Sequence, residues 1–209
     1  MNAPTRHPTA TPLTLGIPVN FGDCRGTIYG GPFRQYVPET RRLVGIKMAQ
    51  EIDHPHDFKV DTEDFCVPTV YAMHQGIAFA LKALFKGQDV YVGCMGGIGR
   101  TGLFMGCMAK VMRDYQQTLD KVIRENHDPV RYVRLHFKPH AIETEEQMRF
   151  VAEFDTTLHV EWVKSQFMPK VVEKEVVKEV VKEVEKIVYV DKEVVVYLTP
   201  LQVLMRWFK

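Results

Sequence analysis

Val92-Gly93-Cys94-Met95-Gly96-Gly97-Ile98-Gly99-Arg100-Thr101-Gly102 is the stretch whose reading decides the fold. An apolar segment runs into a cysteine, then five loop residues, an arginine and a hydroxyl residue. Asp89 to Gly93 predicts a short buried strand, and Arg100 to about Tyr115 predicts a helix. Strand, glycine loop and helix in that order bring backbone N–H groups and a helix dipole onto one anion. Gly96, Gly97 and Gly99 let the chain turn tightly with no side chain in the way. Arg100 can grip two phosphate oxygens with its planar fork, which lysine cannot do. Thr101 can donate a hydrogen bond to sulfur. The loop amides and the helix terminus favour a thiolate, the nucleophilic form of cysteine. The alternative is a glycine-rich turn around a buried structural cysteine.

Working outward, Pro68 to Lys86 has a helical pattern with Val70, Ile77, Ala80, Leu81, Leu84 and Phe85 on one broad face, ended by Gly87. Upstream lie an acidic loop, Asp53 to Asp64, and a core-strand pattern at Arg42 to Met48. Residues 13 to about 40 are dense in glycine and proline, suiting turns and short strands. Downstream, Asp128-Pro129 reads as an N-cap with proline at the first helical position, opening a short helix through Arg134. Thr144-Glu145-Glu146-Gln147 has the capping-box pattern and should open a last helix running to about residue 165. Together these predict an α/β fold with a central, mostly parallel sheet flanked by helices.

The chain has 209 residues, 45% of them hydrophobic, enough for one domain with its own core. With 27 basic against 26 acidic residues, its charge of +1 gives no reason to expect nucleic acid or an anionic membrane as partner. No apolar run spans a bilayer and the N-terminus lacks a signal-peptide core, so a soluble cytoplasmic protein is expected. Cys24, Cys66, Cys94 and Cys107 are widely spaced without a C-x-x-C pair, which argues against a zinc site or a disulfide framework. No metal-ligand cluster is visible and no cofactor is expected. His54 and His56 read as part of a solvated loop.

The run from Cys94 to Thr101 resembles the signature of the cysteine-dependent protein tyrosine and dual-specificity phosphatases: cysteine, five residues, arginine, then serine or threonine. The resemblance extends over about residues 40 to 155 in three ordered blocks. Asp64-Phe65-Cys66-Val67-Pro68-Thr69 is similar to the family's acid loop and starts 30 positions before Cys94. Ala141 to Phe150 is similar to its glutamine loop, with Glu143 where the family has a first glutamine. The segment Val130 to Arg134 resembles the helix before that loop. Within the cysteine loop itself one position departs from the pattern, Gly93, where the family has a histidine that orders the loop.

The resemblance implies a tyrosine-phosphatase-like fold and a two-step hydrolysis. Cys94 attacks phosphorus while Asp64, with Asp61 as fallback, protonates the leaving oxygen. Arg100 and the amides of Met95, Gly96, Gly97, Ile98, Gly99 and Arg100 hold the phosphate oxygens. Thr101 eases the departure of sulfur, and Gln147 places the water that Asp64 deprotonates. For Gln147 the capping box is the competing explanation. The substrate is a phosphoprotein bearing phosphotyrosine, with phosphoserine or phosphothreonine as further targets. Inositol phosphates or RNA 5′-phosphates are alternatives, which the neutral residues Met95 to Ile98 disfavour. A different class of function is a phosphatase-fold scaffold with little turnover. A protective disulfide between Cys66 and Cys94 is a redox alternative to simple packing of Cys66.

The expected domain spans residues 13–168, after a polar, proline-rich tail at 1–12. Residues 169–209 form a low-complexity appendix of valine, glutamate and lysine, with Glu-Val-Val-Lys at 175–178 and 179–182. Residues 170–209 are expected to serve homo-oligomerisation or partner docking, as a coiled coil or an extended stalk, rather than as a bare tether.

Overall fold

The computed structural model describes residues 15–38, 42–119 and 128–168. The expected tails at 1–12 and 169–209 lie outside the described residues, and with them the repeat. The chain divides into two compact units, Met1–Val160 and Glu161–Lys209. Of the second unit only residues 161–168 are described, the end of the last helix. The rest of this description concerns the first.

Five strands form one sheet: β1 (Gly16–Phe21), β2 (Cys24–Pro32), β3 (Leu43–Ala49), β4 (Phe58–Thr62) and β5 (Asp89–Cys94), in the order β1-β2-β5-β3-β4. β1 and β2 form an antiparallel hairpin around Gly22, whose φ of 73° suits the tight turn. Every other pairing is parallel, so the mostly parallel sheet expected from the sequence is observed. The helices are α1 (Val70–Phe85), α2 (Gly99–Leu119), α3 (Pro129–His136), α4 (Glu145–Glu153) and α5 (Thr157–Phe167).

β5 lies in the middle because its residues are apolar on both faces. Val90 and Val92 are buried on one side and Tyr91 on the other. Gly76 of α1 meets both Val60 of β4 and Phe104 of α2, while Phe21 packs on Phe85 and Tyr115. Helices α1 and α2 therefore share one face of the sheet. On the other, the ring of Tyr36 stacks on those of Phe33 and Tyr91, 5.4 and 5.9 Å away, while Phe33 and Tyr91 meet at a tilt. Gly45 makes room for Tyr36, since a Cβ there would lie 2.3 Å from its ring.

Of the three side-chain caps, those at Asp128 and Thr144 are the expected ones. At Thr144 only half of the capping box forms, since Gln147 Oε1 accepts from Glu143 N instead. Thr69 caps α1 through Ala72 N at 3.1 Å, Asp128 caps α3 through Val130 N at 3.0 Å, and Thr144 caps α4 through Gln147 N at 3.1 Å. Three further details differ from the sequence reading. Val70 is exposed on α1 instead of joining its apolar face. The acidic loop contains β4, where Phe58, Val60 and Thr62 alternate with the exposed Lys59 and Asp61. The single long last helix is two helices, because Asp155 accepts from the amide and hydroxyl of Thr157 and begins α5 anew. Among the described residues, no helix is long and apolar enough to cross a membrane.

Candidate active site

Three parallel strands end side by side, and each leads into a residue of one cluster. β5 ends in Cys94, β3 leads through a turn to Glu51, and β4 leads to Asp64. Ligands of open parallel sheets gather at this carboxyl edge.

Cys94 is 4% exposed, and Thr101 Oγ1 donates to its sulfur at 3.3 Å. Tyr91, three residues before Cys94 on β5, has its phenol pushed up to about 12 by burial and secondarily by the Cys94 charge. Its hydroxyl donates to Pro32 O at 3.0 Å. Thr101 is thus the side chain in contact with the sulfur. Cys107 is wholly buried on α2, and burial raises its thiol pKa far out of the reactive range. Cys66 and Cys94 are both free thiols.

Arg100 is 1% exposed, yet keeps its charge. Burial opposes the guanidinium, but Glu51, Cys94 and Asp64 more than offset it, and its pKa is raised. The five donors of the group can be accounted for one by one. Nη1 donates to Glu51 Oε2 at 2.9 Å and to Thr62 O at 2.8 Å. Nη2 donates to Glu51 Oε1 at 2.6 Å and pairs with Asp64 Oδ1 at 2.9 Å. The fifth donor, Nε, is buried and has no hydrogen-bond partner. Buried donors are seldom left unmade, because an unmade bond costs about 1–3 kcal/mol.

One loop glycine, Gly97, is required by the backbone around it, and a second, Gly99, lies against a side chain. Gly97 has φ +65°, and a Cβ there would lie 2.1 Å from the carbonyl carbon of Gly31. Gly99 meets the Glu143 carboxylate, with Oε2 2.1 Å from where a Cβ would be. Gly93, the departure from the family pattern, also has a steric cause. A Cβ on it would lie 2.7 Å from Gly31 O and 2.8 Å from Phe33 Cα. The end of β2 and the 3₁₀ turn at Phe33–Gln35 occupy the place where a side chain would begin.

The structure brings Asp64 to Arg100 and leaves Asp61 on β4, paired with Lys59 at 2.7 Å. Gln147 is fully buried. Its Oε1 accepts from Glu143 N at 2.9 Å and its Nε2 donates to Cys66 O at 3.2 Å. The amide thus ties the segment after Asp64 to the turn before α4. Phe65, beside Asp64, has φ +59°, and Thr144 Oγ1 donates to its carbonyl at 3.3 Å. Arg134 donates to Ala141 O at 3.0 Å and to Ile142 O at 2.9 Å, holding Ile142 at φ +63°. Backbone held in this region costs of order 1–3 kcal/mol and concentrates at functional sites.

Glu51 was not among the residues singled out from the sequence. Its position two residues past β3 would be a signal only once β3 is known to lie beside β5.

No family model matches the chain. Two uncharacterised proteins of Methanocaldococcus jannaschii are each 34% identical to it over 95 residues, 46% of this chain and 56% and 52% of theirs. The chain thus spans about half the length of the curated relatives it matches. Among solved structures it is similar to Tk-PTP in its active form, with 22% identity, 62% of this chain and 90% of that one covered, and a TM-score of 0.47. It is similar also to PTPMT1, with 19% identity, 66% and 92% covered, and a TM-score of 0.47. A third is kinase associated phosphatase with serine in place of its catalytic-site cysteine, at 19% identity, 49% and 53% covered, and a TM-score of 0.38.

Proposed function

We propose that this chain is a cysteine-dependent phosphatase that hydrolyses phosphate monoesters of phosphoproteins, phosphotyrosine first among them, through a phosphocysteine intermediate. The observation that carries this reading is the buried, unpartnered Nε of Arg100 beside the Cys94 loop. Glu51 occupies the edge formed by Nη1 and Nη2. The remaining edge, Nε with the outer proton of Nη2, is held only at one end, by Asp64. Two oxygens of a phosphate fit that edge when Asp64 moves off it.

In the first step the Cys94 sulfur forms a bond to phosphorus as the bond to the ester oxygen breaks. Asp64, freed from Arg100 and protonated from solvent, gives that proton to the leaving oxygen. Arg100 and the amides from Met95 to Arg100 receive the charge on the remaining oxygens. In the second step water attacks phosphorus, Asp64 takes its proton, and the sulfur leaves as a thiolate accepting from Thr101. Gln147 serves this step by fixing the turn at Glu143 against the segment that carries Asp64.

The test is turnover of an aryl phosphate by wild type, Cys94→Ser and Asp64→Asn, followed by phosphotyrosine, phosphoserine and phosphoinositide substrates. Activity in wild type that Cys94→Ser abolishes supports the reading. A folded wild-type protein that releases no phosphate from any of them sinks it.

A further inference from the structure

Lys138 lies outside every block that points to the phosphatase reading, yet its ammonium reaches the loop. Nζ donates to the carbonyl oxygen of Gly97 at 2.8 Å across 41 positions of sequence. The base of the side chain is fixed. Phe137 before it is buried, and Lys138 O accepts from Ala141 N at 3.0 Å in a turn whose far end Arg134 holds. The ammonium also lies 5.3 Å from the centre of the Phe137 ring.

The bonded peptide joins Gly97 to Ile98, so one of its two pivots is a glycine. Gly96 and Gly97 are adjacent glycines, and a glycine pair rotates its shared and flanking peptides at little steric cost. In a trans peptide the carbonyl and the following N–H point in opposite directions. With the Gly97 carbonyl on Lys138, the Ile98 N–H is directed away from the ammonium. Rotated the other way, the same peptide would turn its carbonyl oxygen toward the place of the phosphate.

We propose that Lys138 is a positioning residue for the phosphate cradle: its ammonium holds the Gly97 carbonyl outward, keeping the Ile98 N–H available to the anion. The inference rests on the phosphatase reading for its effect on turnover, but not for its effect on the loop. A charge-assisted hydrogen bond of this kind makes a difference of about tenfold in an equilibrium constant.

Lys138→Met and Lys138→Arg separate the possibilities, with Lys138→Gln in reserve should the methionine variant not fold. The expected result for Lys138→Met is a tenfold fall in kcat/KM for an aryl phosphate and a similar loss of affinity for inorganic phosphate. Lys138→Arg, which can still donate to a carbonyl, restores most of both, an outcome that simple packing of the stem would not give. Amide hydrogen exchange of the 94–100 segment supplies a readout independent of catalysis, and it should accelerate in Lys138→Met while the β-sheet is unchanged. If wild type has no activity but that acceleration is seen, the phosphatase reading falls and the positioning role stands. If exchange in the loop and phosphate affinity are both within twofold of wild type, the role of Lys138 is overturned.

Discussion

Glu51 and Arg100 form a two-point ion pair, with Oε1 2.6 Å from Nη2 and Oε2 2.9 Å from Nη1. The guanidinium is buried and the carboxylate is partly open to water, so the pair fixes the arginine's plane at the edge of the site. Its geometry decides which edge of the arginine remains for a substrate.

Removing the Glu51 carboxylate should therefore cost activity more than stability. Water can reach Glu51, so the loss of stability in Glu51→Ala should be about 1 kcal/mol or less. The arginine loses its orientation, and kcat/KM for an aryl phosphate should fall at least about tenfold, the effect of one charge-assisted hydrogen bond. The bond from Arg100 holds the Glu51 carboxyl below its ordinary pKa of 4.5. Its contribution is thus complete above that value and is lost as pH falls through the lower, folded one. Steady-state kinetics and chemical denaturation on the same variant check both halves. Equal activity in Glu51→Ala would show that the pair does not orient the arginine.

Gly93 should suffer from an added methyl group that Gly96 tolerates. At Gly93 the new Cβ would lie 2.7 Å from Gly31 O and 2.9 Å from Phe33 N, both backbone atoms that cannot step aside alone. Gly93→Ala should cost about 1–3 kcal/mol, or a fall in Tm of a few degrees per kcal/mol, about 2–4 °C at this size. At Gly96 nothing lies within 4 Å of an added Cβ, so Gly96→Ala should stay within about 0.5 kcal/mol of wild type. Thermal melts of the two variants decide it; a Gly93→Ala protein as stable as wild type would refute the steric account.

That account bears on how far the chain could be read without coordinates. Cys94, Arg100, Thr101 and Asp64 were legible because the first three lie within eight residues and the fourth shares a short acid–proline segment. Their grouping follows from local spacing. Glu51 was not, because its role arises when β3 is laid beside β5 and no spacing along the chain encodes that neighbour. The cause of Gly93 was hidden for the same reason: the obstruction comes from Gly31 and Phe33, sixty positions away. β4 and the break at Asp155 were local, but each was overruled by a stronger local signal, acidity in one case and helical periodicity in the other.

The buried histidine pair predicts an acid limb of stability. His74 Nδ1 and His159 Nε2 are 2.9 Å apart, stacked beside Phe154, with Asp155 the charged group near both. One shared proton satisfies the pair, whereas a second would set two donors against each other. Burial first, and then the neighbouring His74, lowers His159 from 6.5 to about 3, and burial lowers His74 too. The unfolded chain therefore binds protons that the folded protein refuses. Stability should be complete above pH 6.5 and decline toward pH 3, with a slope of up to about 1.4 kcal/mol per pH unit per histidine. Urea midpoints at pH 7, 6, 5 and 4 measure this, and His159→Phe should flatten the decline. A decline identical in that variant would assign it to other groups.

Asp64 should act against a phosphate bound at Arg100. Its Oδ1 sits 2.9 Å from Arg100 Nη2, on the edge whose other donor, Nε, is unpartnered. Phosphate must displace that carboxylate and then tolerate its negative charge nearby. Asp64→Asn removes the charge and weakens the hold on Nη2, so inorganic phosphate should bind more tightly even as turnover falls. A ligand at 100 times its Kd stabilises the folded state by about 2.7 kcal/mol, so melting curves in a phosphate series report the affinity directly. The midpoint should rise with phosphate in wild type and rise at lower concentrations in Asp64→Asn. In Arg100→Lys, which lacks the two-donor edge, it should hardly move. Weaker phosphate binding in Asp64→Asn would mean that the carboxylate supports the anion site instead of competing for it.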